Sequence, residues 1–302
     1  MTDFVQMAGI QSVLFVYMLA GYLCFRFGIL DDHARRYLTD LAIYVTLPCM
    51  IFQSFDITLT PDKIRAGATA LLIAAVMALV VLALNRLLFN WCPPNEKPVL
   101  QYGTLVSNAG FAGLPVVESA YGPEGLFLAS LFIIPTRILM WSAGISLFTD
   151  APRRQRIKNV LLNPGIIAVE LGLVRMLLSL PVPAQLGRAL SGLGGCTSPL
   201  AMMVIGLILA QVDLKTVVEP KAFLLVVLRQ LVLPFGLLAS LRLLGIDPLT
   251  IGVAVVLTGM PIGSTTAILA AKYGADAAFA SKCVFISTLT SLVTVPILTL
   301  FL

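Results

Sequence analysis

Long apolar stretches separated by short polar connections make up most of the 302-residue chain. Ten of them can be marked, and most approach the ~20 residues that a helix needs to cross ~30 Å of hydrocarbon. They lie at residues 8–25, 37–54, 66–89, 99–121, 125–148, 161–181, 186–211, 222–244, 248–272 and 277–301. This pattern predicts an all-α polytopic membrane protein with ten transmembrane helices. The first stretch lacks the features of a cleaved signal peptide and is expected to be retained.

Two of the apolar stretches, the fourth and the ninth, are interrupted by clusters of glycine and proline. The clusters lie at 107–115 (SNAGFAGLP) and 258–264 (TGMPIGS). Because a helix in lipid must satisfy its own backbone hydrogen bonds, such breaks are tolerated only where the freed groups face protein or a water-filled cavity. Paired breaks in the two halves of a chain indicate a transporter's substrate site. We therefore expect helices four and nine to be broken and to cross each other near the bilayer midplane.

Sequence matches between the two halves recur at an offset of 151 or 152 residues. Five helices in each half require an inverted repeat, because the second half then begins on the opposite side of the membrane. The matched pairs are Gly21 with Gly172, TLP at 46–48 with TSP at 197–199, and YGPE at 121–124 with YGAD at 273–276. The sequence therefore predicts a first five-helix repeat, 1–152, and a second, inverted one, 153–302. The prolines of the two breaks do not superimpose at this offset, so the breaks correspond by helix only.

The charge distribution supports the membrane assignment and predicts an orientation. Only 12% of the residues are charged, against about 25% in soluble domains. The connections after odd-numbered helices carry thirteen Lys and Arg residues and those after even-numbered helices four, which places the odd connections in the cytoplasm and both termini outside. The net charge of +5 thus does not indicate nucleic-acid binding. The five cysteines are far apart in the sequence, so neither disulfides nor a metal site is expected.

The ends of the broken helices are predicted to bind an anion. A half-helix N-terminus presents unpaired N–H groups and a fractional positive charge, and the side-chain amide of Asn108 can donate to a carboxylate. The alternative for the glycines in both breaks is that they only allow close helix packing. The candidate substrate-binding residues in and beside the breaks are Ser107, Asn108, Gly110, Pro115, Thr258, Pro261 and Ser264.

Ionisable residues inside apolar stretches are further candidates, because each costs ~2.5–3.5 kcal/mol or more on insertion scales. Arg137 in helix five is either a second contact for the anion or a structural partner of a carbonyl or an acid on a neighbouring helix. Glu118 is the candidate for proton coupling and lies either beside the crossing or at the outer rim. Arg229 is expected to extend to the cytoplasmic surface, and Glu170 to be buried in helix six.

At these residues the chain resembles the auxin efflux carrier family, which includes bacterial malate and malonate permeases and the plant auxin exporters. The similarity extends over nearly the whole length. It is carried, in order, by TLP at 46–48, NAGFAGLP at 108–115, NPGII at 163–167, TSPLA at 197–201 and MP at 260–261.

The resemblance implies a ten-helix fold shared with bile-acid sodium symporters. Helices 1, 2, 6 and 7 would form a scaffold through which the protein dimerises, and helices 3–5 and 8–10 a transport domain that moves in an elevator-like manner. The transported substrate would be a small organic anion. Asn108 matches a helix-four Asn that meets the substrate carboxylate in the plant members. This chain lacks their long central cytoplasmic loop, which implies a bacterial protein of the inner (plasma) membrane.

Three other functions remain as alternatives. The first is sodium-coupled uptake of a larger organic anion, with Na⁺ held by unwound carbonyls and hydroxyls near the crossing. A cation/proton antiporter is less well supported, since Glu118 is the one acid that helices four and nine offer. An intramembrane enzyme would need a nucleophile–base pair or a metal cluster, and the single histidine, His33, lies in the first connection. We therefore expect no catalytic residues, metal or cofactor; the sequence leaves open whether a proton or Na⁺ is the coupling ion.

Overall fold

The computed structural model describes residues 4–58, 60–148, 161–211 and 219–302, and its regular elements there are all helical. Four short π-helical segments lie within or next to the α-helices, at Ala42–Thr46, Ala109–Gly113, Met140–Gly144 and Leu228–Val232. The α-helices are α1 (Phe4–Arg26), α2 (Asp32–Leu41), α3 (Leu47–Ser54), α4 (Pro61–Leu84), α5 (Lys97–Leu105), α6 (Leu114–Leu139), α7 (Pro164–Leu177), α8 (Ala184–Gly195), α9 (Thr197–Leu209), α10 (Pro220–Val227), α11 (Leu233–Leu243), α12 (Pro248–Gly259), α13 (Thr265–Tyr273) and α14 (Ala277–Thr299).

Six helical stretches of the described chain are long and apolar enough to cross a membrane, which makes this a multi-pass membrane protein. They are Ala8–Arg26, Pro61–Leu84, Ala109–Leu139, Ala184–Leu209, Pro220–Leu243 and Ala277–Thr299; the apolar helix α12 is shorter. The remaining predicted spans coincide with helices that are shorter or interrupted, such as α5 and α7. A count of ten spans therefore stays a prediction, and the proposed repeat boundary at 152/153 lies outside the described residues.

Polar caps and prolines define where several of these helices begin. The side chains of Asp31, Thr60, Asn163, Asp247 and Asp276 each accept a hydrogen bond from a backbone N–H in the first turn of the helix that follows. α4, α7, α10 and α12 also carry proline in that turn, where its missing N–H has no intrahelical partner to lose. The helix starts are therefore encoded locally in the sequence.

A glycine divides α6 into two helical parts. Gly122 has φ 66° and ψ −161° and is followed by Pro123. The helix is kinked at this glycine. Gly274, its match at the 152-residue offset, also has a positive φ, 74°, and caps α13. L-residues rarely adopt this backbone conformation, so glycine is the residue that suits both positions.

Helices α1 and α9 pack closely against each other because glycines face the partner backbone. A Cβ added to Gly21 of α1 would lie 2.2 Å from the carbonyl oxygen of Met203, and one added to Gly206 of α9 would meet the carbonyl oxygen of Met18. A Cβ added to Gly172 of α7 would in the same way collide with the ring of Phe55, which follows α3. These helices belong to the stretches predicted to form the scaffold.

Two sequence expectations about intramembrane charges are wrong. Arg229 is 5% exposed and donates from Nη1 to the carbonyl oxygen of Thr104 at 3.3 Å, so it does not extend to the surface. Its helix packs against α5 and α14, and the guanidinium is enclosed between helices. Glu170 is exposed on the outer face of α7 and not buried. Periodicity alone did not show which faces of these helices are covered.

Candidate functional site at two helix interruptions

Two helices stop inside apolar stretches, at the positions where glycine and proline cluster. α5 ends at Leu105, and helical structure resumes at Ala109. α12 ends at Gly259, and α13 begins at Thr265. The residues that follow the two ends have extended backbones: φ −112° and ψ 108° at Val106, and φ −60° and ψ 150° at Met260.

The two interruptions are hydrogen-bonded to each other. The N–H of Asn108 donates to the carbonyl oxygen of Pro261 at 2.7 Å, and the N–H of Gly263 donates to that of Val106 at 3.0 Å. Ser107 and Ile262 form an isolated antiparallel bridge between these bonds. Backbone groups freed by the breaks are thus satisfied within the protein, as an apolar environment requires. The sequence located both breaks, and the tertiary structure joins them.

The glycines at the interruptions have different roles. A Cβ added to Gly113 would lie 2.7 Å from Cδ2 of Leu257 and 3.1 Å from Cγ of Met260, so this position serves close packing. A Cβ added to Gly110 would instead lie 3.0 Å from Nη2 of Arg137. The absent side chain at Gly110 therefore leaves room for the guanidinium beside the interruption.

Asn108 has the most informative environment of the candidate residues. It is 5% exposed, and its carbonyl oxygen accepts from the N–H groups of Ala112 and Gly113 at 2.9 and 3.1 Å. Its side-chain amide makes no hydrogen bond to any other residue that the structure describes. A side-chain amide without such a partner can donate a hydrogen bond to a ligand at the start of a helical segment.

Arg137 lies between that segment and the start of α7. Its Nη1 donates to Oδ1 of Asn163 at 3.0 Å, and the same oxygen accepts from the N–H groups of Gly165 and Ile166 at 3.1 and 3.3 Å. Asn163 therefore both caps the N-terminus of α7 and accepts a hydrogen bond from the guanidinium of Arg137. The partner is an amide oxygen, so this contact leaves the positive charge of Arg137 uncompensated. The sequence analysis assigned Asn163 no such role, although its position before Pro164 signalled a helix cap.

Ser107 and Thr258 lie with Arg229 in a small recess of about 30 Å³. Its walls come from α4, α5, α6, α12 and the π segments at 109–113 and 228–232. Ser107 Oγ donates to the carbonyl oxygen of Leu257 at 3.4 Å. Thr136, the neighbour of Arg137, also lines this recess. We call it the Arg229 recess.

Pro261 borders a different cavity, of about 20 Å³, between the interruptions and helices α1, α9 and α14. Its polar lining comes from Gln11, Thr288 and Ser291. Gln11 is a polar residue inside the first apolar stretch, a signal that the sequence analysis did not use. This cavity separates the interruptions from the helices predicted to form the scaffold.

The other candidates are more peripheral to Asn108. Pro115 is buried in the first turn of α6, and Ser264 is 7% exposed directly before α13. Glu118 is exposed and lies ten residues beyond Asn108, about 15 Å along a helix. The structure thus brings Gly110 and Arg137 together two residues after Asn108, and places Ser107 with Thr258 and Pro261 in two other surroundings.

Comparisons with known proteins agree with a transporter. The chain matches the family described as "Membrane transport protein" over residues 9–160 and 153–299. An uncharacterised transporter of Methanothermobacter thermautotrophicus is 28% identical over 95% of both chains. A protein of Rhizobium meliloti named "Putative malonate transporter" is 24% identical over 96% of this chain and 94% of its own. Since the family matches cover nearly the whole length, the chain belongs to the membrane transport protein family.

Proposed function

We propose that this protein transports a small organic anion, a mono- or dicarboxylate such as malate or malonate, across the bacterial plasma membrane. The observation that carries the proposal is the guanidinium of Arg137 against Gly110, two residues after the buried Asn108, whose side-chain amide makes no hydrogen bond to the residues that the structure describes. Both groups are hydrogen-bond donors, and one is cationic, so together they favour a carboxylate. The name of the Rhizobium meliloti relative points to the same class of substrate.

The helical segment that begins at Ala109 adds to this preference. The first N–H groups of a helix have no carbonyl one turn earlier, and the helix dipole places a fractional positive charge there. A carboxylate at this position would accept a hydrogen bond from the side-chain amide of Asn108. It could also approach the guanidinium of Arg137, because Gly110 has no side chain between them. Because the positive charge of Arg137 is not neutralised by Asn163, the substrate would supply the counter-charge.

The architecture that we propose is the ten-helix inverted repeat, 1–152 and 153–302, with crossed broken helices four and nine. In this assignment the fourth span comprises α5 and the start of α6, and the ninth comprises α12 and α13. The shared positive φ of Gly122 and Gly274 and the hydrogen bonds between the two breaks support it. The scaffold would consist of spans 1, 2, 6 and 7, form the homodimer, and stay fixed while the transport domain moves as an elevator, with both termini outside.

Sodium coupling is the alternative that these contacts favour less. Among the carbonyl groups near the ends of α5 and α12, Thr104 accepts from Arg229 and Leu257 accepts from Ser107. A Na⁺ ion bound to the carbonyl oxygen of Thr104 would lie next to the positively charged side chain of Arg229, which would repel it. Catalysis is disfavoured as well, since the family and the named relatives are transporters.

Transport into proteoliposomes tests the proposal. Purified protein should take up labelled malate or malonate faster than protein-free vesicles, and Asn108→Ala should reduce the uptake. Imposed proton and sodium gradients, applied separately, identify the coupling ion, and Glu118→Gln tests whether the exposed acid takes part. Absence of uptake for a panel of mono- and dicarboxylates, with folded protein in the vesicles, would contradict the proposed substrate class.

A further inference from the structure

Arg229 is a buried cation whose charge the described protein leaves largely unpaired. It is 5% exposed, its Nε has no hydrogen-bond partner in the described part of the chain, and none of the four ion pairs found there includes it. Among the described residues, its one hydrogen-bond partner is the carbonyl oxygen of Thr104, near the C-terminus of α5. The negative end of that helix dipole is only about half an elementary charge. An arginine within a membrane protein requires fuller compensation.

The Arg229 recess has the composition of an anion site. Besides the guanidinium it presents the hydroxyl groups of Thr136 and Thr258, which can donate hydrogen bonds, and that of Ser107, which would exchange its bond to the carbonyl oxygen of Leu257 for one to the anion. None of its lining residues is acidic, and the remaining walls are apolar. Ser107 and Thr136 are partly exposed, which leaves the recess accessible. Donors around a desolvated cation, with no acid, match a small anion and repel a metal cation.

The recess is separate from the proposed substrate contacts. Ser107 lines the recess, whereas Asn108 is not among its lining residues. Arg137 is next to Thr136 in sequence but contacts Asn163 and approaches Gly110. An anion at Arg229 would therefore lie behind the interruption that presents Asn108.

We propose that the Arg229 recess binds a small anion, either a halide or the carboxylate of the transported substrate, through Arg229, Ser107 and Thr258. A bound anion completes the compensation of the guanidinium begun by the carbonyl of Thr104. It also links α5 to the span that contains Arg229 and α11. The anion thereby stabilises the interruption on the face away from Asn108.

Thermal unfolding of the purified protein in bromide tests this site. At constant ionic strength, replacing a bulky organic sulfonate by bromide should raise the Tm by ~2–4 °C, since a ligand that binds only the folded state stabilises it. Arg229→Gln should abolish the rise, and Thr258→Val should shift it to higher bromide concentrations. Arg242→Gln is the matched control, because Arg242 lies at the end of the same span, is exposed and contacts only the carbonyl of Phe301 by hydrogen bond. It should keep the full rise.

Malonate and Asn108→Ala distinguish the two sources of the anion. If malonate raises the Tm, and this rise survives Asn108→Ala but disappears in Arg229→Gln, the recess binds a carboxylate. If the rise in bromide depends on Arg229 and the rise in malonate does not, the recess binds a halide. If neither anion has an effect that depends on Arg229, the inference is overturned, while uptake dependent on Asn108 would still support the proposed function. If Arg229→Gln does not fold, crystals of the unmodified protein grown in bromide and in malonate test the site instead. An anomalous bromide peak or malonate density within hydrogen-bond distance of Arg229 supports the site, and the absence of both anions from the recess refutes it.

Discussion

Replacing Asn108 by alanine should weaken substrate binding without destabilising the fold. The side-chain amide has no hydrogen-bond partner among the described residues, so its removal orphans no other group of the protein there. A hydrogen bond to a charged group contributes ~1.5–3 kcal/mol, which corresponds to a roughly 10- to 150-fold increase in Kd. Asn108→Asp should weaken binding further, because it adds a buried negative charge opposite the substrate carboxylate.

The assay is equilibrium binding of malate or malonate to purified, folded variants, with thermal unfolding measured in parallel. Asn85→Ala provides the matched control. Asn85 is also buried, at 2% exposure, but its amide donates to the carbonyl oxygen of Gln101 at 2.8 Å. Asn85→Ala should therefore lower the Tm and leave the Kd of the folded protein unchanged. Affinities like those of the unmodified protein in both Asn108 variants would remove Asn108 from the site and leave the joined interruptions with a packing role.

Four further predictions concern the site and the architecture. Gly113→Ala should destabilise the protein by ~1–3 kcal/mol, because its Cβ would overlap Leu257; Gly236→Ala, where a Cβ meets nothing within 4 Å, should show no such loss in thermal unfolding. Arg137→Lys should weaken binding ~10-fold in the same binding assay, since one ammonium group cannot serve Asn163 and a ligand beside Gly110 together. Pro48→Ala and Pro199→Ala, at matched positions of the predicted repeat, should change the rate of uptake more than the Kd, and a large loss of equilibrium binding would contradict their scaffold role. Reporter fusions should place the C-terminus outside and the central connection in the cytoplasm; a C-terminus on the same side as the central connection would exclude the inverted repeat.

The membrane class and the helix interruptions are the parts of the structure that the sequence predicts well. Apolar stretches of spanning length depend on composition alone, and the chain indeed contains helices that can cross a membrane. The end of α5 and the end of α12 fall where glycine and proline cluster, at 107–115 and 258–264. These features were predictable because they follow from the residues' own backbone preferences and polarity.

The environment of each charge was not predictable from the sequence. Arg229 was expected at a surface and is enclosed, and Glu170 was expected to be buried and is exposed. Both outcomes depend on which face of a helix its neighbours cover, and an apolar helix offers no polar stripe that would show this. The contact of Arg137 with Asn163 joins residues 26 positions apart in the sequence and likewise arises from packing.

By itself, the sequence determined that this is an all-helical, multi-pass membrane protein with two interrupted helices, because polarity and the conformational limits of glycine and proline act locally. Only the tertiary structure decided that the interruptions pair through Asn108 and Pro261, that Ser107 and Thr258 lie with Arg229, and that Gly110 lies against Arg137. Adjacency in the sequence does not make Ser107 and Asn108 part of the same site, because Ser107 lines the Arg229 recess and Asn108 is not among its lining residues. The partners of each side chain are set by helices distant in sequence, whose packing depends on shape complementarity across the whole fold.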